Sequence, residues 1–266
     1  MDSFVDERDY KVLEKDKYTF FVLGRIIGGE CELLFTDHER LMICLSNHPH
    51  PVWIWTPDDV TKEEKERAYE IVRESGLLTA GHLFNLKYDL ADYFLRRALE
   101  NALPLSITTN MFAYNCPNPI EPHVQADGEL HACAAEDIDE MVEFMDLFHR
   151  ETGVDQDSLA AYRRKAEEAI RSGNHYFWKN AEGRNAAICN FRPNGDLASV
   201  GLVYTREEYR RKHYAENLVY QVTKLAKNAG YMPMLYTDAD YAASNACYKK
   251  IGYVLKGRLC TIGQKR

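Results

Sequence analysis

Long apolar runs are missing from this sequence. No stretch approaches the ~20 apolar residues that a membrane-spanning helix needs, so no membrane role is expected. There is no CxxC and no HExxH, and His48 and His50 flank a proline without obvious ligand partners, so no metal site is expected. An excess of positive charge is missing too. Thirty-three Lys and Arg stand against 41 Asp and Glu, a formal charge of −8. A chain of that balance lacks the basic face with which a general nucleic-acid binder neutralises phosphates. The seven cysteines, at 31, 44, 116, 133, 189, 247 and 260, are scattered and odd in number, as expected of reduced packing thiols in a cytoplasmic protein. The opening MDSFVDERDYKVLEKDK is polar and acidic, unlike a secretory signal or a transit peptide. Neither a low-complexity tract nor an internal repeat is evident.

What is present is 266 residues, 45% hydrophobic and 28% charged, enough for one large or two ordinary domains with a sizeable core. The charge is uneven. Residues 1–125 hold 13 basic against 21 acidic side chains, and residues 126–266 hold 20 of each. The boundary between these halves is set by YNCPNPIEPHVQADGE (114–129), whose three prolines and one glycine block both helix and ladder. In the first half YTFFVLG and CELLFT are expected as strands around the Gly28-Gly29 turn, followed by strands RLMICLS and PVWIWT. Thr61 and Glu64 form a possible capping box for a helix over 62–75 closed by Gly76, and a second helix is expected over 89–102.

The second half is more regular. ELHACAA reads as a strand, and EDIDEMVEFMDLFHRET as a helix with Ile138, Met141, Val142, Met145 and Phe148 on its apolar face. DSLAAYRRKAEEAIRSG reads as a helix stopped by Gly173. HYFWKN, AAICNF and LASVGLVYT follow as strands, the last two joined through Asn194-Gly195. A helix over 214–229 buries Ala215, Leu218, Val219, Val222, Leu225 and Ala226; then come strand MPMLYTD, helix YAASNACYKKI and strand YVLKGRLCTIG. The order β-α-α-β-β-β-α-β-α-β implies a mixed sheet flanked by helices at 126–266, preceded by a smaller α+β domain at 1–125: an α/β (α+β) protein.

The stretch YTREEYRRKHYAENLVYQV (204–222) sets Arg210, Arg211, Lys212 and His213 directly before that 214–229 helix. Cations at a helix N-terminus cost about 0.3–1 kcal/mol each at an exposed site. A strand–loop–helix junction also presents unpaired backbone N–H groups, and a phosphate seated there would turn the penalty into a gain. The alternative is a plain solvated charge run.

Arg210-Arg211-Lys212-His213-Tyr214-Ala215 resembles the Q/R-x-x-G-x-G/A pyrophosphate loop of the GNAT N-acetyltransferase superfamily, matching at Arg210 and Ala215 and replacing the first glycine by His213. LYTDADYAASNACYKKIGYV (235–254) is similar to the family's second signature, N-x-x-Y-x-x-x-G-Y/F, through Asn245, Tyr248, Gly252 and Tyr253. The resemblance covers roughly 127–266. It implies acetyl-CoA (CoA) as cofactor, direct acetyl transfer to a primary amine, and CoA contacts from Val203, Thr205, Arg210, Arg211, Lys212, His213, Tyr214, Ala215, Asn245 and Tyr248. It also implies an oxyanion-stabilising backbone N–H at Val203, with Tyr248 protonating the departing thiolate. Histidine at 213 either crowds the phosphate or donates to it. Asn245 and Tyr248, three apart, share one helical face.

The acceptor amine must arrive neutral, and Glu151, Asp155 and His149 are candidate bases, as is water. The first half resembles, more weakly, the N-terminal segment of two-domain bacterial GNAT proteins, which implies that residues 1–125 are either a substrate-side domain or a degenerate GNAT-like one. Trp53 and Trp55 share one strand face, by default a core face and alternatively a substrate wall. The −8 of residues 1–125 favours a cationic acceptor such as a polyamine, an aminoglycoside or a peptide amine. Two rivals to the enzyme remain: a catalytically silent acyl-CoA-binding or regulatory module, and a protein-interaction scaffold. The sequence does not give the oligomeric state.

Overall fold

Thr61 does accept from the Glu64 N–H while Glu64 accepts from the Thr61 N–H, and helix α3 (Lys62–Glu74) starts on that capping box. In the computed structural model, which describes residues 1–153 and 157–264, the chain falls into two compact units. The first holds Met1–Tyr114, Tyr236–Tyr241 and the residues from Leu255 on; the second holds Asn115–Leu235 and Ala242–Val254. No helix among the described residues is long and apolar enough to cross a membrane.

In the first unit α1 (Glu7–Leu13) and α2 (Phe21–Ile26) precede an antiparallel meander of β1 (Leu33–Thr36), β2 (Met42–Leu45) and β3 (Val52–Trp55). Helix α3 then crosses to β4 (Phe84–Leu86), which runs parallel to β3, and α4 (Tyr88–Glu100) and β5 (Leu105–Asn115) follow. Of the stretch expected as strand YTFFVLG, residues 18–20 form a turn and the rest, from Phe21, is helical instead. Phe20, Leu23 and Ile27 recur at a helical spacing and are buried together, and that packing overrides the β-preference of the aromatic run. Alternation along β3 sends Val52 and Ile54 into one core and Trp53 and Trp55 into another, so both rings are core packing. Trp55 Nε1 also donates to Asp16 at 2.9 Å.

The start of the first unit is locked by charge. Asp9 is fully buried, and one of its carboxylate oxygens accepts from the Thr36 hydroxyl at 2.6 Å. The other lies 2.7 Å from His38 Nδ1, while His38 Nε2 lies 3.0 Å from Asp2. A ring with a carboxylate at each nitrogen is an imidazolium, and the Asp9 bond, then the Asp2 bond, raise its pKa against the opposing pull of burial and Arg8. A raised histidine pKa stabilises the fold fully below the unfolded value of about 6.5, and the contribution is lost as pH rises through the folded value. Urea melts of wild type and His38→Gln at stepped pH should therefore differ below neutrality and converge in alkali. A gap independent of pH would show that the ring is neutral.

In the second unit β6 (Glu129–Ala132), α5 (Ile138–Thr152) and α6 (Leu159–Ser172) lead into a second antiparallel meander, β7 (His175–Lys179), β8 (Asn185–Asn194) and β9 (Leu197–Thr205). Helix α7 (Tyr214–Asn228) crosses to β10 (Met232–Asp238), parallel to β9, and α8 (Ala242–Lys250) follows; β10 from Tyr236 on and β11 (Val254–Gln264) from Leu255 on belong to the first unit. The element order is the one expected from sequence, and the Asn194-Gly195 turn joins β8 to β9 with Gly195 at φ 59°. Met141, Phe144 and Met145 of α5 and Tyr162 and Ala166 of α6 pack on Phe177, Ile188 and Tyr204 of the sheet. Each unit thus repeats one connectivity: two helices, a three-stranded meander, a helix, a parallel strand and another helix.

Candidate active site

Strand β9 holds β8 along nearly its whole length but pairs with β10 only at Leu197, Ala198 and Ser199. Past that point its other edge has no ladder partner in β10. Between the pairs Asn190↔Gly201 and Ile188↔Tyr204 the β9 side has one residue more than the β8 side, and Leu202 sits there at φ 49°. This is a β-bulge, which re-aims the backbone locally. Arg206 N–H bonds to Ala186 O at 3.0 Å. Backbone groups alternate sides along a strand, so Tyr204 also faces β8, and Val203 and Thr205 turn their N–H and C=O groups to the open edge.

The loop after β9 is built by ion pairs. Arg206 reaches Glu143 at 2.7 and 2.9 Å and Glu140 at 3.3 Å, with its guanidinium 4.5 Å from the Phe144 ring centre. Arg210 donates to Thr205 O at 3.1 Å, pairs with Glu151 and lies 5.7 Å from the Tyr204 ring centre. Of the basic cluster, Arg210 is therefore committed to bracing the loop against the end of α5, while Arg211, Lys212 and His213 are exposed. Two of these loop residues are left-handed, Arg211 and His213, both at φ 64°. His213 is the N-cap of α7 and makes no side-chain capping bond. The first N–H groups of α7 thus lack a side-chain cap, and its positive end lies beside Arg211 and Lys212.

Histidine takes the backbone conformation that glycine would take at this position. A left-handed non-glycine residue costs about 1–2 kcal/mol, offset in part by the larger chain entropy that glycine loses on folding. His213→Gly should therefore raise the unfolding free energy by about 1 kcal/mol. Equal urea midpoints for the two proteins would mean that His213 bears no strain.

The segment 115–128 holds the start of α7. Asn217 Nδ2 donates to Val124 O and His213 O, both at 3.0 Å. Tyr214 is buried, and burial, with a hydrogen bond to Asp127, pushes its phenol up to about 12. Ala215 follows, half-buried, in the first turn. The same segment crosses Gly252, where a Cβ would lie 2.4 Å from Asn118 O and φ is 98°. Glycine is required at that motif position because another backbone passes over it.

Asn245 and Tyr248 are the buried residues of α8, 6% and 7% exposed, so they do share an inward face. The Tyr248 ring stands 5.8 Å from Tyr253, whose hydroxyl is 2.7 Å from Thr223 Oγ1 on α7. Burial pushes the Tyr253 phenol far up, so it stays neutral. Of the candidate bases, Glu151 is the partner of Arg210, His149 Nδ1 lies 3.0 Å from the Tyr162 hydroxyl, and Asp155 lies outside the described residues. Sequence reasoning missed the bulge at Leu202, the Arg206–Glu143 pair and the Asp127 brace. Gly201 beside Leu202 was the one local signal for the bulge.

Residues 138–253 match the family model described as the acetyltransferase (GNAT) family. Similar solved structures include an acetyltransferase of the GNAT family from Colwellia psychrerythraea, 12% identical with a TM-score of 0.62, over 99% of each chain. A GCN5-related N-acetyltransferase from Kribbella flavida is 12% identical with a TM-score of 0.64, over 95% of each chain. One from Sphaerobacter thermophilus is 12% identical with a TM-score of 0.64, over 85% of this chain and 77% of that one. No curated protein matches the sequence. At such identities the structural likeness carries the fold; the family rests on the matched stretch, and residues 138–253 are a domain of the acetyltransferase (GNAT) family.

Proposed function

We propose that the chain is an acetyl-CoA-dependent N-acetyltransferase that passes an acetyl group directly to a primary amine. The observation that carries this reading is the pairing of an open, bulged β9 edge with an α7 N-terminus that has no side-chain cap and is flanked by exposed cations. These residues fit acetyl-CoA: N–H groups at the start of α7, with Arg211 and Lys212, suit a pyrophosphate, and the backbone of Val203 and Thr205 suits an amide-bearing arm. His213, Tyr214 and Ala215 contribute through the backbone. Arg210 acts as a brace that positions the loop through Glu151 and Thr205.

Acetyl-CoA supplies an acetyl thioester as the activated donor. Val203 N–H stabilises the oxygen on which charge develops as the amine nitrogen bonds to the carbonyl carbon. Tyr248 gives its phenolic proton to the sulfur as the C–S bond breaks, and Asn245 orients the same end of the cofactor. The amine proton leaves to water, since Glu151 and His149 are both engaged within the protein. The acidic balance of residues 1–125 favours cationic acceptors, and raising the salt concentration should narrow a preference for them over neutral amines.

Calorimetric titration with acetyl-CoA and with CoA tests the binding half of this reading. Arg211→Glu with Lys212→Glu should weaken both ligands at least about tenfold, because two charge-assisted contacts are reversed. Undetectable binding to the parent protein would remove the cofactor. Binding without turnover across a panel of amines would leave a silent acyl-CoA-binding module.

A further inference from the structure

The first unit has its own crevice, and it does not belong to the acetyl-transfer site. Strands β3 and β4 pair in parallel only at Val52↔Phe84 and Trp53↔Asn85, although β3 runs on to Trp55. Beyond their carboxyl ends lies a cavity of about 330 Å³, bounded by Thr56–Asp58 after β3, by Lys87–Leu90 after β4, by Asp16 and Thr19, and by Lys256–Arg258 of β11. The crevice outside the carboxyl ends of parallel strands is where open α/β sheets bind ligands.

The acidic groups of this wall are all ion-paired, with one lysine serving two of them. Lys87 Nζ bridges Asp16 at 2.7 Å and Asp58 at 2.6 Å, and Asp89 pairs with Lys65 at 2.6 Å. Lys256 and Arg258, two apart on β11, pair with no carboxylate among the described residues. Each only lies near a ring, Tyr18 at 5.8 Å and Phe112 at 5.4 Å. Between them Gly257 has no room for a side chain, since a Cβ there would stand 2.0 Å from Thr19 Oγ1. Thr19 fills the space on the Gly257 face of the strand, and its hydroxyl and that of Thr56, on residues 6% and 2% exposed, belong to the same cavity lining. Cations without carboxylate partners beside buried hydroxyls suit an oxyanion.

A nucleotide is the wrong ligand for this crevice. Helix α3 holds the place in the first unit that α7 holds in the second, yet its start is closed by the Thr61–Glu64 capping box, and Arg40 occupies Glu64. The loop ahead of it carries Asp58 and Asp59 where the second unit carries Arg210, Arg211 and Lys212. That acidic, capped junction repels a pyrophosphate.

We infer that the cavity between the ends of β3 and β4 is a second ligand site, which takes a small oxyanion-bearing metabolite, a carboxylate or phosphate compound without a nucleotide, with its anionic group on Lys256 and Arg258. The inference stands whether or not acetyl-CoA binds the second unit. Trp55, bonded to Asp16 in the cavity wall, is an intrinsic reporter. Inorganic phosphate and citrate are titrated against the full chain at constant ionic strength while tryptophan fluorescence is followed. At least one should give a saturable change whose midpoint rises about tenfold or more in Lys256→Ala/Arg258→Ala, a loss of at least one charge-assisted contact. The same midpoint should be unmoved in Arg211→Ala/Lys212→Ala. No saturable response to either probe overturns the site, as does an unchanged midpoint in Lys256→Ala/Arg258→Ala. A loss confined to the Arg211/Lys212 variant also overturns it, because the anion then sits at the start of α7.

Discussion

Replacing Tyr248 by Phe should lower kcat by about a hundredfold or more while leaving the affinity for CoA within about twofold, the signature of a proton donor acting only as the C–S bond breaks. The ring is 7% exposed and packs edge-on against Tyr253, so the phenylalanine keeps the shape and loses only the hydroxyl. Protonation of the leaving sulfur helps most below the thiol's own pKa, so the effect should be largest near neutrality and for weakly activated donors. Tyr253→Phe is the control, since its hydroxyl is engaged with Thr223 and its loss should cost stability and not turnover. Turnover by Tyr248→Phe within a few-fold of wild type would leave the tyrosine a packing residue, and the proton would have to come from water.

The second half of the chain was legible because its local signals agree with one another. Apolar spacing, Gly173 and Gly195 at left-handed turns, and Asn245 and Tyr248 three residues apart all point to the elements that form. The first half was less so. The run Tyr18–Gly24 is rich in residues that favour strands, and only burial of Phe20, Leu23 and Ile27 against the meander makes its second part a helix. At the candidate site the cations were visible in the sequence but their partners were not. Glu151 lies 59 residues from Arg210 and Glu143 lies 63 from Arg206, separations that no local pattern encodes. The substitution of His213 for glycine was visible, but not that the histidine would keep the left-handed backbone. Packing of Asn118 and Ile120 over Gly252 explains the glycine of the second signature better than any preference of the residue itself.

The sequence left a degenerate GNAT-like first half open beside a substrate-side one, and its residues did not decide between them for a related reason. What repeats is the succession of elements, while the residues at the corresponding junctions diverge in chemistry. Before α3 stand Asp58, Asp59 and a closed capping box; before α7 stand Arg211, Lys212 and a histidine cap with no side-chain bond. A helix N-terminus can be satisfied by its own side chains or by a ligand; α3 takes the first solution, and α7 has no side-chain cap. On the proposed reading, that divergence directs a pyrophosphate to the start of α7 and away from that of α3, and it leaves the first unit a crevice with a different charge pattern.

Between about pH 6.5 and 4, acidification should weaken the second unit through His175. This side chain is 4% exposed on β7, and burial, with Arg192 adding to it, lowers its pKa to about 4. Its Nε2 lies 2.7 Å from Asn190 Nδ2, which donates, so the proton of the neutral ring sits on Nδ1, 3.3 Å from Ser172 Oγ. In the unfolded chain the same ring takes up its proton near about pH 6.5. A folded value below the unfolded one means that stability is intact above about 6.5 and is lost as pH falls toward 4, by about 3 kcal/mol in all. The loss bears on function, because Asn190 pairs with Gly201 beside the Leu202 bulge. Protonating His175 sets two donors against each other there and loosens the strand that carries Val203. Trp178 lies on the same strand as His175, so a Trp53→Phe/Trp55→Phe background isolates it as a reporter of the second unit. In that background the urea midpoint should fall steeply between pH 6.5 and 4. His175→Gln should start lower at neutral pH and fall much less. Parallel curves for the two proteins across that window would place the acid sensitivity on other groups and leave His175 an ordinary buried ring.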